Sequence, residues 1–263
     1  MRNRFQPSRV DTSGRFEEID MARGIAILMM ILYHTLFDLA FFKVWPVNVA
    51  TGFWRYFAFL TASLFLLIVG VSLTVSHARA IRDYSKDKDG SIRLVKKYVR
   101  RGGGIFACGL LVTIATWLYL GEGFVIFGIL HLIGVSVMLA PLFFRFKKGN
   151  ILIGVLCIGL GIVLLFADIA GPIWLVWLGI HPSPFISVDY TPLLPWFGVV
   201  LIGMGVGEYL YPDGKRSWSP PQVPVSISAL LAVPGRHSLL IYLVHQPLIL
   251  LLLHIIAGVP VLG

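Results

Sequence analysis

Arg23 and His34 are eleven residues apart, close to three helical turns, and Asp38 follows four positions later. A helix over this stretch puts all three on one face, with the imidazole about 16 Å of helical rise from the guanidinium. Imidazole titrates near neutrality. A carboxylate one turn further on can orient it, stabilise its charged form and raise its basicity, as a general base or an acyl-accepting nucleophile requires. His131 and His245 are expected at compatible depths, so His34, Asp38, His131 and His245 form a candidate catalytic set around an outward-opening cavity. A second chemistry sits among the basic residues. Arg100 and Arg101 precede Gly102, Gly103 and Gly104, and Gly235, Arg236 and His237 open the last apolar stretch. Read as helix N-termini, both offer free N–H groups, a positive dipole end and adjacent cations, which suit a phosphate-bearing ligand such as coenzyme A. Each residue also has an ordinary reading. Arg23 can snorkel to headgroups, His34 and His131 can hydrogen-bond a neighbouring helix, and Arg100 and Arg101 can be plain cytoplasmic charge.

These side chains are expected in lipid. The 263 residues are 57% hydrophobic and 13% charged, with a mean hydropathy of +0.84. No water-soluble domain of this length carries that balance. Apolar blocks of about 20 residues, enough to cross a bilayer core, run over 21–42, 53–76, 103–120, 125–144, 151–168, 191–211 and 235–258. The expected fold class is all-α, a polytopic transmembrane bundle of about seven spans, with an eighth short helix at 227–233 left open. Residues 1–20 form a polar N-terminal segment, and 21–263 one transmembrane domain. No signal-peptide cleavage is expected.

The net charge of +9 would raise the question of nucleic acid in a soluble protein, but here Lys and Arg cluster at span ends. Nine of them fall in 77–101, whereas the loop 169–190 has none. By the positive-inside rule the first segment is cytoplasmic and the second external, so the N-terminus is cytoplasmic and the C-terminus extracytoplasmic in a cell membrane. Residues 171–180, apolar but too short to span, read as an interfacial or re-entrant piece. Cys108 and Cys157 both lie inside apolar blocks and support no disulfide framework. Ionisable groups in lipid are costly and mark functional pathways. Besides the residues above, they include Glu208 and His254, with Gln246 beside them as a polar group.

Four stretches together resemble a known family: RFEEIDMARGIAILMMILYHTLFDL at 15–39, FGILHLIGVS at 127–136, DYTPLLPWFGVVLIGMGVGE at 189–208 and GRHSLLIYLVHQPLIL at 235–250. They are similar to bacterial members of the heparan-alpha-glucosaminide N-acetyltransferase catalytic-domain family. The Arg23 to His34 spacing is also similar to the signature of the acyltransferase-3 membrane family. The resemblance implies transfer of an acetyl group from cytosolic acetyl-CoA, as donor substrate, to an acceptor at the outer face, often a sugar. Arg23 takes the donor-side motif role and His34 the catalytic one. The lysosomal members carry their proposed catalytic histidine in a later, lumenal segment, and the comparable stretch 43–52 here has none. The partners implied are acyl-CoA, an extracytoplasmic carbohydrate and membrane lipids, with no nucleic acid, and a homodimer is left open. Two other classes compete. A transporter or flippase would conduct a solute or proton along the same polar stripe. A redox protein would use the histidines as haem or metal ligands, but no thiolate set or ligand spacing accompanies them, so no metal or haem is expected.

Overall fold

In lipid, backbone N–H and C=O groups must pair within their own segment, so the apolar blocks become helices. The computed structural model describes residues 15–84, 89–167 and 169–259. Arg2, Arg4 and Arg9, the expected basic positions Lys86 and Lys88, and the expected span end Asp168 lie outside these residues. Among the described residues eight α-helices follow one another: α1 (Glu17–Phe41), α2 (Gly52–Tyr84), α3 (Gly90–Leu120), α4 (Ile129–Phe143), α5 (Asn150–Ala167), α6 (Leu193–Leu210), α7 (Val225–Arg236) and α8 (Ser238–Ala257). Six stretches are long and apolar enough to cross a membrane. One of them, Ile129–Ala167, contains α4 and α5, which are joined by a 3-10 turn where Lys147 has φ 47°. The expected count of seven treats these two as separate. The short helix left open near the C-terminus exists as α7.

The expected cytoplasmic loop 77–101 is instead largely helical. α2 and α3 have 33 and 31 residues, about 50 and 46 Å of helix against about 30 Å of hydrocarbon. Both therefore overrun the apolar layer, and the basic residues ride on the overrunning ends. Many apolar side chains are exposed, Phe166 at 83% being the extreme. They would form an unusually large patch in water, but in a bilayer they meet lipid.

The chain packs as two compact units. The first comprises Met1–Ile68 and Trp218–Gly263, the second Val69–Ser217. In the first, three acids open α1, Glu17, Glu18 and Asp20, suiting the positive end of the helix dipole. α7 runs antiparallel to α1, because Gly24 faces the Leu231 carbonyl and Gly235 faces the Asp20 carbonyl. A Cβ at either glycine would collide with backbone, so only glycine permits this approach. α8 runs parallel to α1. His34 meets His245 and Asp38 meets Gln246, while Leu39 and Phe42 pack against Ile249 and Leu253. The start of α1 and the end of α8 thus lie at opposite ends of this unit.

In the second unit, α3 and α4 are antiparallel through Gly102 and Gly134, and α5 and α6 through Gly154 and Gly198. The C-terminal half of α2 joins α6, where Thr74 Oγ1 donates to the Met204 carbonyl at 2.9 Å. Between α5 and α6, Ile173–Leu178 is a short 3-10 helix with Trp174 and Trp177 exposed. Its neighbour Tyr190 holds it by donating to the Val176 carbonyl at 2.8 Å.

Candidate active site

Parallel packing of α1 and α8 brings two histidines together. His245 Nε2 and His34 Nδ1 are 2.8 Å apart, with ring centroids at 4.9 Å. His245 Nδ1 lies 2.6 Å from the Tyr242 carbonyl oxygen, which can only accept, so Nδ1 carries a hydrogen. Burial in lipid favours neutral rings. His245 Nε2 is then a lone pair, His34 Nδ1–H donates to it, and the basic nitrogen of the pair is His34 Nε2. His245 is buried while His34 keeps some exposed surface. The arrangement thus leaves one basic ring nitrogen and backs it with a second ring able to share an added proton.

Asp38 does not orient His34 as expected. Its two oxygens accept from Gln246 Nε2 at 2.9 and 2.8 Å. The physical reason is the register of α8, which sets Gln246 opposite Asp38 and gives His34 the ring of His245 instead. Asp38 is 3% exposed, and this amide donation compensates part of the cost of burying a carboxylate.

At the opening end of α1, Arg23 Nη1 donates to Asp20 Oδ1 at 3.0 Å and to the Gly235 carbonyl at 3.3 Å. Arg236 Nε lies 3.4 Å from Asp20 Oδ2, with its side chain 36% exposed. One buried carboxylate therefore organises two arginines from α1 and α7. Asp20 escaped the sequence reading although its spacing of three from Arg23 is an ion-pair spacing on a helix.

Two expectations about helix ends are corrected. Gly235 and Arg236 close α7, where carbonyls rather than N–H groups are free, and only His237 precedes α8. Arg100 and Arg101 lie deep inside α3, which starts at Gly90, so their backbone N–H groups are committed to the helix. Both arginines are exposed on the second unit. The run of glycines after them suggested a helix start, but Gly102 serves instead for close packing on Gly134.

His131, also in the second unit, is buried as an α4 cap. Its Nδ1 accepts from the Gly128 N–H at 3.2 Å, and its Nε2 lies 3.4 Å from Thr113 Oγ1. Both ring nitrogens thus have partners within that unit. Nearby, Asp189 Oδ2 accepts from the Ile129 N–H at 3.1 Å. The residue is only partly covered, but desolvation of its carboxyl group raises its pKa to about 6, partly offset by that N–H. His254 Nδ1 donates to the Val259 carbonyl at 2.7 Å, tying the residues just past α8 back to the helix. Among the described residues, no three His, Cys, Asp or Glu side chains cluster as a metal site would need.

Apolar helices long enough to cross a bilayer, with an imidazole pair held between α1 and α8, define a multi-pass helical membrane protein. The family model described as heparan-alpha-glucosaminide N-acetyltransferase, catalytic, matches residues 15–247. The chain belongs to that family of acetyltransferase catalytic domains. No curated protein and no solved structure matches it. The matched range takes in Asp20, Arg23, His34, Asp38, Arg236, His245 and Gln246.

Proposed function

We propose that this protein moves an acetyl group from cytosolic acetyl-CoA to a sugar or other glycoconjugate at the outer face of the cell membrane, with His34 as the general base. The observation that carries this reading is the hydrogen-bond order Tyr242 carbonyl, His245, His34, which leaves His34 Nε2 as the basic atom. An acceptor hydroxyl or amine gives its proton to that nitrogen as its oxygen or nitrogen attacks the thioester carbonyl carbon. His245 Nε2 shares the positive charge through His34 Nδ1–H. Collapse of the tetrahedral intermediate breaks the carbon–sulfur bond, and the departing coenzyme A thiolate takes the proton back. The products are the acetylated acceptor and coenzyme A, with nothing oxidised or reduced.

Arg236 supports a donor site at the other end of α1. Its guanidinium is partly exposed beside the Asp20 and Arg23 pair and suits the phosphates of coenzyme A. Arg23 holds the α7 end in place through Asp20 and Gly235. Calorimetry of acetyl-CoA binding to purified protein in detergent tests this. Saturable micromolar binding is expected, weakened about tenfold in Arg236→Ala, the scale of one charge-assisted hydrogen bond. A well-folded wild type that binds no acetyl-CoA would move the assignment to transport along the same stripe.

A further inference from the structure

Arg93, Lys96, Lys97, Arg100 and Arg101 crowd the stretch 90–101 of α3, a helix with no acid along its whole length. Among them stand three exposed apolar side chains, Val95, Val99 and Ile92, the last at 67%. The stretch has a packed side as well. Tyr98 is buried against Phe144, and Gly102 against the backbone of Gly134. Helical spacing tells what the open side faces. Positions 92, 99, 103, 110 and 117 lie within about 40° of one another around a helix of about 3.6 residues per turn. Leu110 and Trp117 are exposed, and nothing lies within 4 Å of a Cβ built at Gly103. Those three belong to the apolar span, where an exposed side meets lipid. Ile92 and Val99, bordered by Val95, therefore continue the lipid-facing stripe past the end of the span.

We infer that residues 90–101 of α3 are a binding surface for anionic phospholipids of the leaflet they meet. Ile92, Val95 and Val99 enter the boundary between acyl chains and headgroups, and the exposed Lys96, Arg100 and Arg101 pair with the phosphodiester groups. Arg100 and Arg101 directly precede the span, which puts them at headgroup level. The length of α3 brings the rest down. A helix of about 46 Å against about 30 Å of hydrocarbon is accommodated by tilt, and tilting toward the open side lowers the stripe and Lys96 onto the leaflet. Charge alone would orient the chain wherever it fell in this segment. The unbroken apolar stripe is what turns these cations toward lipid rather than toward an acidic protein in the water.

Two measurements on the whole protein in nanodiscs of equal phosphatidylglycerol and phosphatidylcholine test it. The first is native mass spectrometry of the lipids that stay bound. Phosphatidylglycerol is expected to exceed phosphatidylcholine by at least about tenfold, because each cation at the surface adds about fivefold. The excess should fall to near parity in Lys96→Gln, Arg100→Gln, Arg101→Gln. That variant keeps six of the nine Lys and Arg in 77–101, enough to orient the chain. Lys96→Arg, Arg100→Lys, Arg101→Lys should keep the preference, which separates lost charge from lost fold. The second measurement is the fluorescence of bimane on Ile92→Cys, with Cys108→Ala and Cys157→Ala removing the two native thiols. Quenching by brominated phosphatidylglycerol and shielding from aqueous iodide are expected. Equal retention of the two lipids by the wild type, or a preference that survives neutralisation, overturns the inference. So does a bimane that iodide reaches and lipid bromine does not, or one that neither reaches, as a covering protein or a second copy would leave it.

Discussion

At the scale of the residue, the site is a chain of hydrogen bonds whose direction is set by one backbone carbonyl. The Tyr242 oxygen cannot donate, so His245 Nδ1 carries a hydrogen, and between two neutral rings His34 Nδ1–H then donates to His245 Nε2. His34→Ala is expected to lower kcat by about 10²- to 10⁴-fold, the usual worth of a positioned general base, with acetyl-CoA affinity retained in calorimetry. His245→Ala removes only the backing ring and is expected to cost about tenfold. Because the two act as a unit, the double variant should be no slower than His34→Ala. Full activity in a folded His34→Ala protein would sink the assignment. This much of the site could be anticipated from Arg23, His34 and Asp38 on one helical face. The partners could not, because residues on α1 and α8 more than 200 positions apart meet through packing, which periodicity does not encode.

At the scale of the element, α1 and α7 touch through glycines that leave no room for a Cβ. Gly24→Ala would drive its methyl group into the Leu231 carbonyl and is expected to destabilise the protein by about 1–3 kcal/mol, read as a lowered Tm in detergent. Gly103→Ala meets nothing within 4 Å and serves as the neutral comparison. The junction between α4 and the loop before α6 carries a pH dependence through Asp189. Its folded pKa of about 6 lies above the ordinary value of 3.8, so the folded state prefers the protonated form. The resulting stabilisation is full below pH 3.8 and is lost as pH rises through about 6. Hydrogen exchange at the Ile129 amide should accordingly show less protection at about pH 7 than at about pH 4.5, after correction for intrinsic rate. Asp189→Asn should abolish the difference.

At the scale of the whole molecule, charge and helix direction make the same proposal about orientation. The basic ends of α2 and α3 would face the cytoplasm, and α1 and α8 run in the same direction, which suits a cytoplasmic N-terminus and an external C-terminus. A C-terminal phosphatase fusion should be active, and a fusion within 85–88 inactive; the reverse pattern would invert the donor and acceptor faces.

Composition alone made this a helical membrane protein, because 57% hydrophobic residues in long blocks cannot fold around a single core in water. Its motifs carried the family, and helical spacing put Arg23, His34 and Asp38 on one stripe. Only the tertiary structure decided that Asp38 belongs to Gln246 rather than His34, that Arg236 closes a helix rather than opening one, and that His131 caps α4. The first depends on the register between α1 and α8, and the other two on where helices start and stop. Spacing within one helix follows from about 3.6 residues per turn, but register between two helices is a sum of contacts that no local pattern contains.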